Sequence, residues 1–141
     1  VKKLNDKAII PTYGSEFSAG ADLYACLNDD VEISPNETKF IKTGISVEIP
    51  EGFVLLVFAR SGLSCKQGLA PANKVGVVDS DYRGEVVVVL HNHSTETRKI
   101  SHGDRIAQMV IVPYFKANFE EVTTLSSTVR GEGGFGSTGK K

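Results

Sequence analysis

Gly76-Val77-Val78-Asp79-Ser80-Asp81-Tyr82-Arg83-Gly84-Glu85-Val86-Val87-Val88-Val89-Leu90 is the stretch that decides the fold class. Both ends are rich in valine, whose branched Cβ packs well on a pleated surface, and the middle, Asp79 to Gly84, has turn chemistry. The pattern predicts a β-hairpin with a longer loop that places Asp79 at a strand end. Similar segments lie on either side. Ile45, Val47 and Ile49 alternate with polar residues ahead of Pro50, as a half-buried strand does. Phe53 to Phe58, like Val86 to Leu90, is a continuous apolar run, which predicts strands covered on both faces, and Ile106 to Val112, closed by Pro113, is another. Short strands separated by clusters of Gly, Pro, Asn, Asp and Ser are the pattern of an all-β sandwich or barrel. Helical periodicity is scarce, and one short helix is expected over Ser61 to Gln67, stopped by Gly68.

The 141 residues suit one domain, long enough to bury roughly 70% of the surface its unfolded chain exposes. The net charge of −1, from 16 Lys and Arg against 17 Asp and Glu, gives no basic footprint for nucleic acid. No apolar run reaches the ~20 residues that span a bilayer, and no leader-like segment stands out, so a soluble, cytoplasmic protein is expected. Cys26 and Cys65 match no metal-ligand spacing and are too few for a disulfide framework, so both are expected to be small buried hydrophobes in a reducing compartment.

The last twelve residues, Arg130 to Lys141, hold five of the 14 glycines and one large hydrophobic side chain, Phe135. Glycine loses the most backbone entropy on ordering and adds no apolar area, so this arm is expected to need a ligand or partner to order it. Gly131, Gly133 and Gly136 satisfy GxGxxG, and Gly134, Gly139 and Lys140 satisfy most of a P-loop. Neither match has a helix to follow it, and both nucleotide-fold readings are rejected. Exposed N–H groups on a glycine chain can still wrap a highly charged anion, helped by Arg130, Ser137 and Thr138. A second anion site is suggested at Arg60-Ser61-Gly62, where a strand ends and a short helix begins. Two such segments make a polyphosphate ligand plausible.

Asp79 and Asp81, two apart, invite a general-base or metal reading, against the ordinary use of Asp in turns. His91 and His93 have the same spacing but lack third and fourth ligands, so no zinc site is expected. His102 and the Asp29-Asp30 pair are expected to be solvated loop residues.

Five segments, in order, carry a more specific signal: Ala19-Gly20-Ala21-Asp22-Leu23; Ala59-Arg60-Ser61-Gly62-Leu63; Gly76 to Gly84; Gly103-Asp104-Arg105-Ile106-Ala107-Gln108; and Arg130-Gly131-Glu132-Gly133-Gly134-Phe135-Gly136-Ser137-Thr138-Gly139. Over nearly its whole length the chain resembles the trimeric dUTP pyrophosphatases, the dUTPases. The resemblance implies a jelly-roll-like β-barrel over residues 1–129 and a Gly-rich arm over 130–141 that closes over the substrate of a neighbouring site. It also implies a homotrimer with shared active sites. The implied reaction is Mg²⁺-dependent hydrolysis of dUTP to dUMP and pyrophosphate by water attack on the α-phosphorus, which keeps uracil out of DNA and supplies dUMP for thymidylate synthesis. Carried over by position, Asp79 orients and deprotonates the water, and Arg60, Ser61, Gly62 and Gln108 contact phosphates. Asn73, with the backbone of Gly76, Val77 and Val78, reads the uracil edge, and Tyr82 lies under the deoxyribose and refuses a 2′-hydroxyl. Phe135 stacks on uracil, Arg130, Gly136, Ser137 and Thr138 close over the outer phosphates, and Asp22 orders the site. No residue ligates the metal directly; it is held through phosphates and waters.

Two departures from the family pattern touch the pocket's shape: Lys74 follows Asn73, and Ser64-Cys65 follow the Arg-Ser-Gly segment. The alternatives are a dCTP deaminase, a non-catalytic trimer that senses dUTP, and a structural β-sandwich. The arm with Phe135 speaks against the first, Asp79 against the second, and all five segments against the third.

Overall fold

The computed structural model of the protein describes residues 1–135. Its elements are β1 (Lys2–Lys3), β2 (Thr12–Tyr13), β3 (Ala21–Tyr24), β4 (Val31–Ile33), β5 (Thr38–Ser46), β6 (Phe53–Phe58), α1 (Ser61–Gln67), β7 (Leu69–Pro71), β8 (Gly76–Val78), β9 (Glu85–Asn92), β10 (Arg98–Ile100) and β11 (Arg105–Pro113). The strands form a four-stranded sheet β1-β5-β9-β7, a five-stranded sheet β2-β3-β11-β6-β8 and a β10-β4 ribbon. Every pairing is antiparallel. The fold is jelly-roll-like, but among the described residues these sheets stay separate rather than closing into the expected barrel.

One-sided patterning builds the core. Along β9 buried and half-buried residues alternate strictly, with Val86, Val88 and Leu90 inward; along β6 Leu55 and Val57 point inward. They join Leu23, Ile33, Ile41, Ile45, Leu69, Ile100 and Ile106, all fully buried. Continuous apolar runs were expected to be covered on both faces. Here the second face of two of these runs instead lines a surface cavity, through Val54 and Leu56 on β6 and Val87 and Val89 on β9, while on β11 Ile111 is exposed. Ile45, Val47 and Ile49 are all buried as their alternation predicts, although the ladder of β5 ends at Ser46.

The predicted hairpin is not present. β8 pairs with β6 and β9 pairs with β5 and β7, so Asp79 to Gly84 crosses from one sheet to the other. Valine content identifies two strands but not their partners, because the turn here is too long to fix register. The short helix is where the sequence places it. Gly68 closes it in the left-handed region at φ 70°, donating its N–H to the Leu63 and Ser64 carbonyls, and a Cβ there would come within 2.9 Å of Ser94. Cys26 is buried, but Cys65 is exposed on α1, contrary to expectation. Asp30, expected to be a solvated loop residue, is about half exposed and pairs with Lys99 at 2.9 Å. Hydrogen bonds from Ser101 and then Lys99 hold its carboxyl below the usual range. The rings of His91 and His93 meet edge to face at 4.4 Å, and burial, then the charges of His91 and Lys74, hold His93 below its ordinary value. No group of three or more potential metal ligands forms among the described residues, and no described helix is long and apolar enough to cross a membrane.

At the end of β9, Asn92 is fully buried. Its Nδ2 donates to the carbonyls of Ile33 and Glu96, both at 2.8 Å, and its Oδ1 accepts from the Ser94 N–H at 2.9 Å and hydroxyl at 2.7 Å. One side chain thus ties together the ends of β4 and β9 and the turn leading to β10. Asn92→Ala strands the Ile33 carbonyl in the core and is expected to cost about 2–4 kcal/mol of unfolding free energy. Urea denaturation measures it, and a loss under about 1 kcal/mol would contradict the assignment.

Candidate active site

Residues expected to contact one ligand fall into two clusters. The first is built on the divergence of β8 from β9. A cavity of about 400 Å³ lies between them, lined by Asn73, Gly76, Val77, Val78, Asp79 and Tyr82, with Phe40, Val57, Pro71, Val87 and Val89 among its other walls. Asn73 sits in a tight turn in which Lys74, at φ 66°, donates its N–H to the Pro71 carbonyl and Val75 donates to the Asn73 carbonyl. The Lys74 that departs from the family pattern thus occupies the left-handed position of that turn. Apolar walls with one carboxamide and a few backbone polar groups suit a flat heterocycle that is selected by its hydrogen-bonding edge.

Asp79 follows directly after β8 and lines two cavities at once: this one and a larger cleft of about 1,090 Å³ on its other side. The cleft runs between Glu48 to Glu51, Val54, Leu56, the Asp79 loop, Tyr114 and Lys116. Asp79 therefore stands at a boundary, exposed, where a molecule in the small cavity would meet a group arriving through the cleft.

The second cluster lines another cavity of about 400 Å³: Arg60, Ser61, Gly62 and Gln108, together with Gly20, Asp22 and Arg105. Sheet topology assembles it. β11 lies between β3 and β6, so Gln108 pairs with Asp22 on one side and Phe58 on the other, and the chain leaving Phe58 reaches Ala59, Arg60 and α1. The Gln108 Nε2 donates to the Ala59 carbonyl at 2.9 Å. Gly20 leaves room for it, since a Cβ there would collide with the Gln108 carboxamide. Asp22, almost wholly buried, accepts from Arg60 Nε at 2.6 Å on one oxygen and from Arg105 Nη1 at 3.2 Å on the other, while Arg60 Nη1 also donates to the Arg105 carbonyl at 3.3 Å. The carboxylate thus fixes both guanidinium groups along the wall of a cavity that gathers more positive than negative charge.

Asp22 was expected to order the site; in the structure its carboxylate pairs with Arg60 and Arg105. Arg105 was not singled out, although it lies within one of the five segments. The signal for it was indirect: a buried carboxylate needs cationic or multiple hydrogen-bonding partners. Phe40, 75% exposed at the rim of the first cavity, carried no sequence signal, because a lone aromatic on a strand reads as core.

The two clusters share no lining residue, and the chain does not bring them together. Among the described residues of the arm, 130–135, none lines either cavity. Tyr114 donates its N–H to Gly52 as the chain leaves β11, and residues 115–135 form no strand or helix. Arg130 Nε donates to the Gly133 carbonyl at 2.7 Å within the arm itself. Phe115, Phe119, Leu125, Val129 and Phe135 are all strongly exposed. Gly136, Ser137 and Thr138 lie outside the described residues.

The dUTPase family profile matches residues 6–139. The chain is 49% identical to the deoxyuridine 5′-triphosphate nucleotidohydrolase of Nautilia profundicola over 99% of this chain and 97% of the relative. It is 47% identical to the protein of the same name from Hydrogenobaculum sp., over 100% and 97%. Among solved structures, a mutant dUTPase of Staphylococcus bacteriophage 80alpha with dUpNHpp matches with a TM-score of 0.89 at 30% identity, covering 98% of this chain and 96% of that one. A mutant dUTPase from phage phi11 of S. aureus, described with a structural Mg(II) ion, matches with a TM-score of 0.80 at 28% identity over 89% and 97%. The chain belongs to the dUTPase family, a family of dUTP diphosphatases.

Proposed function

We propose that the protein hydrolyses dUTP to dUMP and pyrophosphate by in-line attack of water on the α-phosphorus, at sites assembled from neighbouring copies in a homotrimer. The observation that carries this reading is the placing of Asp79 between an apolar, carboxamide-bearing cavity and an open cleft, while Arg60, Ser61, Gly62 and Gln108 line a separate cavity of the same chain. The two small cavities of one copy share no lining residue, and in this reading the phosphate cluster of a second copy enters through the cleft. The exposed apolar side chains of residues 115–135 support the same assembly, because an unpacked row of Phe, Leu and Val needs a surface to cover it.

In this reading uracil enters the first cavity and pairs with Asn73 and the backbone of Gly76 to Val78. The Tyr82 ring lies under the deoxyribose. Cytosine presents the opposite donor pattern and leaves buried groups unpaired, which can discriminate by orders of magnitude. Asp79 is far too weak a base to make free hydroxide, so it accepts the proton as the P–O bond forms. Alignment of the water opposite the leaving pyrophosphate is its larger contribution, since orientation of this kind is worth up to ~7–11 kcal/mol. Ser61, Gly62, Gln108 and the Arg60 guanidinium hold the phosphates, and Arg60 is presented rigidly because Asp22 and the Arg105 carbonyl fix it. The arm supplies Phe135 over the base and Arg130, Gly136, Ser137 and Thr138 over the outer phosphates.

The donor set fits Mg²⁺ held by the triphosphate and by waters: Asp22 is already paired with two arginines, and the described carboxylates form no cage of their own. Bound there, the ion would neutralise charge on the phosphates. The reaction would keep uracil out of DNA and supply dUMP for thymidylate synthesis, in the cytoplasm.

Pyrophosphate and ammonia release from dUTP, dCTP, dTTP and UTP tests the reading. Pyrophosphate from dUTP is expected, and ammonia from dCTP would point to the deaminase alternative. Asp79→Asn nearly preserves shape but cannot accept a proton, so it is expected to keep dUTP binding and lose ~10²–10⁴-fold in kcat. A near-wild-type kcat would remove Asp79 from the mechanism. Deleting residues 130–141 is expected to leave the unfolding midpoint within about 2 °C of the full chain while abolishing most turnover, since a segment this glycine-rich adds little to the core. Full activity after truncation would contradict the role given to the arm.

A further inference from the structure

The position of the Tyr82 ring depends on a neighbour that has no side chain. A Cβ built at Gly84 would collide with the Tyr82 hydroxyl and Cζ and lie 2.9 Å from Cε2. Gly84 is not among the glycines in the left-handed region, so its backbone conformation does not call for glycine. What the position supplies is empty volume, and the hydroxyl end of the Tyr82 ring fills it.

The surrounding loop holds the ring in that volume. The Tyr82 hydroxyl donates to the Glu85 carbonyl at 3.2 Å, and the Glu85 carboxylate accepts the Gly44 N–H at 2.8 Å. Arg83 Nη1 donates to the carbonyls of Ser80 at 2.6 Å and Tyr82 at 3.1 Å, and the Ser46 hydroxyl donates to the Arg83 carbonyl at 3.1 Å. The backbone on both sides of Gly84 is therefore pinned. A side chain at this position cannot be relieved by a shift of the loop, so the ring has to give way. Tyr82 is 46% exposed, and with substrate on its pocket side the free direction is outward, into solvent.

We propose that Gly84 is a specificity-determining residue: its missing Cβ lets the Tyr82 ring lie down over the loop at the height that closes the floor of the sugar site. Gly84 touches no substrate and acts through Tyr82. The inference rests on the reading of Tyr82 as that floor and adds what sets its height. Any side chain at 84 lifts the ring outward and opens room for a 2′-hydroxyl.

The experiment is the ratio of kcat/KM for dUTP to that for UTP in the wild type, Gly84→Ala, Tyr82→Ala and the double variant. Gly84→Ala is expected to lower the ratio about tenfold or more, chiefly by improving UTP, within the range that steric misfit in a pocket delivers. In the Tyr82→Ala background the same change is expected to move the ratio less than twofold, because the colliding ring is gone. If Gly84→Ala alone does not fold, the double variant is expected to fold, since removal of the ring removes the collision; an unfolded double variant overturns the proposal. So does a ratio in Gly84→Ala within twofold of wild type, or an equal effect with and without the ring. A wild-type ratio in Tyr82→Ala sinks the sugar-floor reading and this inference with it. A changed ratio there beside an unchanged one in Gly84→Ala sinks this inference alone.

Discussion

Because β8 pairs with β6 while β9 pairs with β5 and β7, the loop between them has to cross from one sheet to the other, and that crossing opens the first cavity. Two strands joined as a hairpin would have closed on each other through a ladder of hydrogen bonds and left no space. Splayed strands leave a gap lined by Val57 of β6 and by Val87 and Val89 on the outward face of β9. The arrangement also fixes Asp79, the first residue past β8, at the rim of that gap. Val77, 63% exposed beside it, is left open to solvent on the cleft side, where a partner surface would gain by covering it.

The Arg60 cluster depends on a different constraint, the burial of one carboxylate. A carboxylate as buried as that of Asp22 needs hydrogen-bonding partners, and two guanidinium groups supply them. Arg105 is half exposed, so solvent screens its share and little stability is gained there. The consequence is geometric. Arg60 uses Nε on Asp22 and Nη1 on the Arg105 carbonyl, which fixes the plane of its guanidinium toward the cavity. A preorganised donor of this kind loses little entropy when a phosphate arrives.

The two constraints differ in how plainly the sequence carries them. Strand content, the helix from Ser61 to Gln67 and its stop at Gly68 follow from local chemistry, namely branched side chains and a left-handed cap. The partner of β8 does not, because pairing of distant strands is settled by packing across the whole core rather than by the intervening loop. The family resemblance picked out Arg60, Asn73, Asp79, Tyr82 and Gln108, yet no linear reading could tell that they divide between two cavities. Nor could it give Arg105 or Gly84 a part, since each is defined by what it meets, a buried carboxylate in one case and an aromatic ring in the other. Cys65 shows the opposite failure: residue type suggested burial, and a short helix with no buried residues left it exposed.

The central claim is that one active site draws Asp79 from one copy and Arg60 from another, and mixing two inactive variants tests it directly. Asp79→Asn and Arg60→Ala chains, each inactive alone, are denatured together in equal amounts and refolded into mixed oligomers. If the two residues come from different copies, about a quarter of the sites receive both intact groups by random assortment, and activity returns to roughly that fraction of the wild type. If both residues serve a site within one chain, every site carries a lesion, and the mixture stays as inactive as its parents.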